Sequence, residues 1–169
     1  RISRYIEAIQ IARSLVLSGQ CQFEGDYYQI DISGDNKIGP VSVTPPPLIG
    51  SVGGPRGIRE VSPIVDRVEI KASARGTRSG SMNIPVMATV TEDEIKQNID
   101  RVKAVAADKP VSIFLLVSAG DSQAVKNMKA MLGNGFLGHF HGHQDDVSAS
   151  LEGLSRIGID RVQLTEMIP

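Results

Sequence analysis

The stretch of sequence that decides the fold is Leu48-Ile49-Gly50-Ser51-Val52-Gly53-Gly54-Pro55-Arg56-Gly57-Ile58. Its apolar start predicts a short buried strand, because such runs fill the interior of parallel sheets. The pair Gly53-Gly54 indicates a tight turn, and Pro55 suits the first position of a helix, where its missing N–H is not needed. A strand that leads through a glycine turn into a helix is the basic step of α/β proteins.

The same step recurs along the chain. Five helices are predicted. The first covers 2–18 and ends at Gly19, the second begins at Pro55 and ends before Pro63, and the third begins after the capping box of Thr91 and Glu94. The fourth runs from Asp121 to Gly133, and the fifth from Asp145 or Asp146 to Gly158. Strands are predicted at 48–50, 67–72, 111–117 and 161–167, with a further short strand where Ile84, Val86, Ala88 and Val90 alternate, and segment 23–32 predicts a hairpin around Gly25-Asp26. Strands that alternate with helices predict an α/β fold with a parallel sheet.

Length and composition exclude several classes of protein. The chain has 169 residues, with 18 lysines and arginines against 19 aspartates and glutamates, and a net charge of -1. This length predicts one domain over residues 1–169, and the balanced charge argues against nucleic-acid binding. The single cysteine, Cys21, excludes an internal disulfide, and no apolar run approaches the roughly 20 residues that cross a membrane. We therefore expect a protein of the reducing cytoplasm.

The glycine turn is the first candidate site, with Gly50, Ser51, Val52, Gly53, Gly54, Pro55 and Arg56. Glycines let backbone amides approach a ligand closely, and the start of a helix presents unpaired N–H groups. Arg56 adds a charge-assisted pair of donors, and Ser51 adds a hydroxyl group. The pattern is typical of a site for phosphate or another anion. A tight turn that needs glycine only for its geometry explains the pattern about as well.

Three alternating histidines, His139, His141 and His143, form the second candidate site. On a strand they would share one face and could hold a metal ion. The alternative is a polar turn before the last helix, with Asp145 as the helix cap. We favour the turn, because nothing in the pattern fixes a strand here and no distant ligand can be identified.

The loop at 71–81 is the third candidate, because it is positively charged and follows the carboxyl end of a strand. Parallel α/β proteins place their ligands at that end of the sheet. Arg75 and Arg78 could then contact an acidic substrate or another anion from a loop that closes over it. A solvated surface loop is an equally good interpretation.

Several segments follow one another in an order that is familiar from one family. They are Tyr5-Ile6-Glu7-Ala8-Ile9, Phe23-Glu24-Gly25-Asp26-Tyr27-Tyr28, Pro46-Pro47-Leu48-Ile49-Gly50, Gly53-Gly54-Pro55-Arg56, Asp66-Arg67-Val68 and Gly158-Ile159-Asp160-Arg161-Val162. This succession resembles the luciferase-like monooxygenase superfamily, and within it the branch that depends on coenzyme F-420 and includes the methylenetetrahydromethanopterin reductases. Order and spacing carry the resemblance more than any single motif does.

The resemblance implies a particular architecture. The family folds as a TIM barrel, which needs about 250 residues. The chain is therefore expected to form the second half of such a barrel, strands five to eight, with an inserted β-hairpin. A missing half-barrel, or a second copy in a homo-oligomer, would complete it.

The resemblance also implies a function. An enzyme of this family transfers a hydride between coenzyme F-420, or alternatively FMN, and a small organic substrate, and the glycine loop at 50–56 is expected to bind the cofactor phosphate. No catalytic acid or base stands out in the sequence. Two alternatives stay open: a non-catalytic half-barrel module that pairs with another chain, and a metal-dependent hydrolase that uses His139, His141 and His143.

Overall fold

A computed structural model gives the structure of residues 1–39, 44–78 and 80–167. The helices are α1 (Ile2–Ser18), α2 (Pro55–Val61), α3 (Ile84–Met87), α4 (Glu92–Val105), α5 (Gln123–Leu132) and α6 (Gln144–Gly153). The strands are β1 (Cys21–Glu24), β2 (Gln29–Ile32), β3 (Ile49–Val52), β4 (Arg67–Lys71), β5 (Val111–Ala119), β6 (His141–Gly142) and β7 (Arg161–Glu166). None of the described helices combines the length and the apolar character that a membrane-spanning helix needs.

The centre of the protein is a parallel sheet of five strands. Strand β4 lies between β3 and β5, and β7 pairs with β5. The two-residue strand β6 pairs with the last residues of β5, so that His141 stands opposite Ser118. Strands β1 and β2 form a separate antiparallel hairpin. The predicted α/β class, its parallel sheet and the hairpin are therefore confirmed.

The parallel sheet has two faces of different chemistry, because side chains alternate along each strand. On one face, which we term the core face, apolar side chains are fully buried against the helices; they are Val52, Val68, Ile70, Val111, Ile113 and Leu115. Helix α2 contributes Ile58 and Val61 to this core, and α4 contributes Ile95, Ile99 and Val102. Each such side chain stabilises the fold by about 1.5–3 kcal/mol. The other face carries Ser51, Glu69 and Lys71.

Gly50 fixes the distance between β3 and α2. A Cβ atom at this position would lie 2.8 Å from Cγ1 of Val61 and 2.8 Å from Cγ1 of Val65. Glycine is therefore required here so that the chain after β3 can fold back closely on the strand. The absence of a side chain at this position is a packing requirement of the fold.

Helix α1 ties the hairpin to the sheet through two charged side chains. The carboxylate of Glu7 accepts hydrogen bonds from the backbone N–H groups of Asp26, Tyr27 and Tyr28, at 3.0–3.1 Å. Arg13 donates to Asp66 at 3.0 Å. Asp66 also accepts from the backbone N–H of Leu48, at 2.8 Å, and this bond, with a smaller effect of Arg13, holds the pKa of the Asp66 carboxyl below its ordinary value.

The ends of the helices agree with the sequence in most places. Gly19 ends α1 in the left-handed conformation, with φ 69°, and the capping box of Thr91 and Glu94 begins α4. The residues that cap α5 and α6 are Ser122 and His143, each one position or more from the predicted Asp121 and Asp145 or Asp146. As caps these acidic residues were predicted wrongly, because Asp121 lies one residue before the cap of α5 and Asp145 and Asp146 lie within the first turn of α6. The two aspartates in α6 do place negative charge near its N-terminus, as predicted.

The prediction of a short strand at 84–90 was wrong. This segment begins with the single helical turn α3, and the side chain of Asn83 accepts a hydrogen bond from the N–H of Val86. Pro85 lies in the first turn, where a helix tolerates it. Ile84 and Met87 then lie on one side of the turn and pack on the core, which a strand would not permit.

We predict that Gly50→Ala lowers the free energy of unfolding by about 1–3 kcal/mol, because the new methyl group would press against Val61 and Val65. Gly153→Ala is the matched control. Gly153 has helical backbone, and no described atom lies within 4 Å of the place that an alanine methyl group would take, so alanine there should stabilise by about 0.4–1 kcal/mol. Urea unfolding of both variants measures the difference, and equal effects would contradict the packing role of Gly50.

Candidate functional site

The glycine loop lies at the edge of a cavity. This space, which we term the loop cavity, has a volume of about 610 Å³. Its lining includes residues from the start of α1, from the end of β3 and the start of α2, and from the chain after β4; they are Arg1, Ile2, Tyr5, Ser51, Val52, Gly53, Gly54, Pro55, Arg56, Gly57, Val61, Lys71, Ala74, Thr77 and Arg78. Six of the seven residues predicted for the anion site therefore line one cavity, and Gly50 does not.

The loop cavity is positively charged. Four basic residues, Arg1, Arg56, Lys71 and Arg78, line it, and no acidic residue of the described chain does. Arg56 is already engaged, because its guanidinium donates to Glu60 at 3.0 Å and to Ser3 at 3.0 Å. This pairing lowers the pKa of the Glu60 carboxyl, which therefore stays negative beside Arg56. Within the described part of the chain Arg1, Lys71 and Arg78 form no ion pair, so these three side chains supply the uncompensated charge.

The glycines of the loop serve different purposes. A Cβ atom at position 53 would lie 2.5 Å from Cβ of Ala74, so Gly53 permits the close approach of two chain segments. At position 54 no described atom lies within 4 Å of such a Cβ. Gly54 precedes α2 and has extended backbone, with φ -150° and ψ 162°, which any residue adopts. Gly54 is therefore the glycine that leaves open space beside the loop cavity.

The polar groups of Ser51 are occupied by the protein itself. Its backbone N–H donates to the hydroxyl oxygen of Tyr5 at 3.1 Å, and its own hydroxyl donates to Glu69 at 2.9 Å. Open N–H groups therefore lie further along the loop. Arg56 and Gly57 are in the first turn of α2, where backbone N–H groups have no partner within the helix.

The two arginines of the loop at 71–81 point to different places. Arg75 donates to Glu94 at 2.7 Å and so contacts the start of α4 rather than the loop cavity. Arg78 lines the cavity and is exposed. Ser79, within the same predicted loop, lies outside the described residues. The contacts therefore do not favour a site in which Arg75 and Arg78 bind the same anion.

A second cavity lies at the carboxyl ends of the central strands. It has a volume of about 240 Å³, and we term it the methionine cavity. Its lining combines the second face of the sheet with α3, α5 and the chain after β4; the residues are Ser51, Glu69, Lys71, Ala72, Ser73, Thr77, Met82, Ile84, Met87, Phe114, Leu116, Met128, Leu132, Leu137, His141 and Met167. Ser51, Lys71 and Thr77 line both cavities, so the two spaces adjoin.

The three histidines do not form one cluster. His139 is exposed in a short 3-10 turn, His141 is buried in β6, and His143 caps α6, where its Nδ1 accepts from the N–H of Asp145 at 3.4 Å. Only His141 and Gly142 form a strand, so the histidines do not share one strand face. No group of three metal-binding side chains occurs among the described residues. The hydrolase alternative therefore has no support.

Sequence reasoning missed Glu69 as a member of the site, placed Lys71 only in the separate candidate loop at 71–81, and missed Tyr5. The alternation in Arg67-Val68-Glu69-Ile70-Lys71 carries a signal for the first two, because Val68 and Ile70 are fully buried and the polar residues must then occupy the opposite face. Tyr5 has no such signal. Its hydroxyl reaches Ser51 only because α1 packs beside the edge of β3.

Comparisons with known proteins address the fold. No protein-family model matches the sequence, and no curated protein matches it. The structure is similar to solved structures, among them an F420-dependent secondary alcohol dehydrogenase in complex with an F420-acetone adduct, with a TM-score of 0.56 and 16% sequence identity. This likeness establishes the fold. It covers 95% of this chain and 55% of that chain, so this chain spans about half the length of the dehydrogenase.

We predict that His141 makes stability depend on pH. Burial, with a smaller effect of the charge on Lys129, lowers the pKa of His141 below its ordinary value of 6.5. Below pH 6.5 the unfolded chain therefore takes up a proton that the folded protein does not, and this contribution to stability is lost as the pH falls towards the lowered pKa. The free energy of unfolding, measured with urea, should decrease less between pH 7.5 and pH 5.5 in His141→Phe than in the unsubstituted protein. His139→Phe is the control, since His139 is exposed, and the prediction fails if both variants lose as much as the parent.

Proposed function

We propose that the chain is part of an oxidoreductase that transfers a hydride between coenzyme F-420 and a small organic substrate, with FMN as the alternative cofactor, and that the loop at 50–56 binds the cofactor phosphate. The observation that carries this proposal is the loop cavity, whose basic side chains face no acidic residue of the described lining. A negatively charged phosphate group is favoured in such a space, because charge-assisted hydrogen bonds are stronger than neutral ones. The fold that the chain shares with an F420-dependent dehydrogenase supports the choice of cofactor.

The chain contributes binding and orientation to this function. The cofactor, when bound, supplies the hydride chemistry, and the protein positions its reactive atom against the substrate. In the proposal, the N–H groups of Arg56 and Gly57 and the side chains of Lys71 and Arg78 hold the phosphate. Arg56 contributes less than its sequence position suggests, because Glu60 already compensates its charge. The adjoining methionine cavity leaves room for a substrate beside the cofactor.

A pair of substitutions at Gly54 tests the phosphate site. Aspartate and asparagine are both good helix caps, so Gly54→Asp and Gly54→Asn should leave the stability of the protein unchanged or slightly higher. The carboxylate of Gly54→Asp would repel a phosphate in the loop cavity, and the amide of Gly54→Asn would not. We expect Gly54→Asp to bind F-420 about tenfold more weakly than Gly54→Asn, a difference of roughly 1.4 kcal/mol.

Fluorescence titration with F-420, and separately with FMN, measures these affinities, and inorganic phosphate should compete. A tenfold difference that disappears at high salt supports the electrostatic explanation. If neither cofactor binds the unsubstituted protein, or if the two variants bind equally, the assignment of the phosphate to this loop is wrong.

Pairing with another half-barrel is the second candidate function, and the edges of the sheet favour it. In the described structure β3 pairs only with β4, and β7 pairs only with β5. An apolar side chain is exposed on each of these edge strands, Ile49 at 48% and Leu164 at 46%. Uncovered strand edges with apolar side chains are sites for association with further strands.

Light scattering over a range of protein concentrations tests this pairing. We expect a dimer whose dissociation constant rises about tenfold or more in Ile49→Lys and Leu164→Lys, because a buried lysine charge is costly at an interface. Met131→Lys is the matched control, since Met131 is 57% exposed on α5 and lies on neither edge strand. A monomer at all concentrations, or an equal effect of the control, would exclude self-pairing through these edges.

A further inference from the structure

The methionine cavity has an unusual lining. The protein has five methionines, and four of them, Met82, Met87, Met128 and Met167, line this one cavity. Phe114 and Leu116 form its floor on the sheet. Methionine side chains are flexible and polarisable, so they adapt to the shape of a ligand, and their sulfur atoms make favourable contacts with aromatic rings. The lining therefore suits a flat apolar ring.

The polar groups of the cavity are divided between two ends. Lys71 is exposed, and it forms no ion pair with Glu69, which lies two residues away on the same face of β4 and accepts a hydrogen bond from Ser51. His141 is only 3% exposed, on the short strand β6. The cavity thus extends from a charged end near solvent to a buried imidazole. A ligand that fills the buried end must leave water behind, which disfavours a charged group there.

The imidazole of His141 has an unsatisfied nitrogen. Its Nδ1 is buried and has no hydrogen-bond partner among the described residues. The same holds for the hydroxyl of Ser118, which stands opposite His141 in the pairing of β5 with β6. A buried polar atom without a partner costs about 1–3 kcal/mol. Both atoms are closed off from the cavity, and Ser118 does not line it, so a ligand meets His141 through the part of its imidazole that lines the cavity.

We propose that the methionine cavity binds a small uncharged aromatic molecule with one hydroxyl or carbonyl group, whose polar atom forms a hydrogen bond with His141. The neutral imidazole can accept from a hydroxyl or donate to a carbonyl, according to its tautomer. The methionines and Phe114 surround the ring. The proposal names a class of substrate for the space that the proposed function leaves beside the cofactor, and as a substrate assignment it rests on that function. Binding of the molecule itself needs neither the cofactor nor a phosphate in the loop cavity.

Three probes of one shape test the proposal: phenol, toluene and benzoate. Binding to the full chain is followed by NMR, from the methyl signals of the methionines and the ring nitrogens of the histidines. We expect all methionine signals except that of Met131, which is exposed outside the cavity, to shift with phenol. The nitrogens of His141 should shift with phenol and not with toluene, because toluene fills the same space without a hydrogen bond. Benzoate should bind more weakly than phenol.

The variants His141→Phe and His139→Phe separate the hydrogen bond from the shape of the cavity. In His141→Phe the ratio of the dissociation constants of phenol and toluene should rise about fivefold or more, as expected for the loss of one buried hydrogen bond. His139→Phe should leave the ratio unchanged. If His141→Phe does not fold, the comparison of the His141 nitrogen shifts in the unsubstituted protein decides the question.

Three results would overturn the proposal. The first is no change in the methionine methyl signals with phenol or toluene, and the second is identical shifts of the His141 nitrogen signals with both probes. The third is tighter binding of benzoate than of phenol, which would mean that the charge of Lys71 selects the ligand. Each of these can occur while F-420 still binds at the loop, and F-420 can fail to bind while phenol does. The outcome is therefore distinct from that for the proposed function.

Discussion

The burial of one face of the parallel sheet against α2 and α4 is the constraint on which the other features depend. Val68, Ile70 and Ile113 are fully buried on this face. Since side chains alternate along a strand, the burial of these residues places Glu69, Lys71 and Phe114 on the opposite face, where the methionine cavity lies. Lys71 also lines the loop cavity. A shift of one residue in the pairing of β4 would bury charged groups and remove Glu69 and Lys71 from the cavity linings.

Much of the fold could be predicted from local patterns. Gly19, Pro63 and the capping box of Thr91 and Glu94 mark helix ends through the chemistry of single residues, and the structure agrees with each. The segment at 84–90 was predicted wrongly because its alternation of apolar residues also fits one helical turn. The helical turn is stabilised by the hydrogen bond to the side chain of Asn83 and by the packing of Met87 on the core. Neither contact can be predicted from the sequence pattern alone.

The candidate site could be predicted only in part. The glycine loop was found from its strand-turn-helix pattern, and it does line a cavity. Its expected cation, Arg56, is paired with Glu60, whereas Lys71 and Arg78 reach the same cavity from another part of the chain. Sequence neighbours predict which residues belong to a loop, but charge compensation depends on contacts between segments. For the same reason, the buried nitrogen of His141 could not be inferred from a row of alternating histidines.

The contact between Gly53 and Ala74 joins the glycine loop to the chain that follows β4. A side chain at position 53 has no room while position 74 carries a methyl group, since the two Cβ atoms would be 2.5 Å apart. The sizes of these two residues are therefore interdependent: if 74 is a glycine, the nearest atom to an alanine methyl group at 53 is Cβ of Lys71, at 3.3 Å instead of 2.5 Å. The residue types at 53 and 74 should therefore change together among homologous chains, because the size of each side chain limits the size of the other.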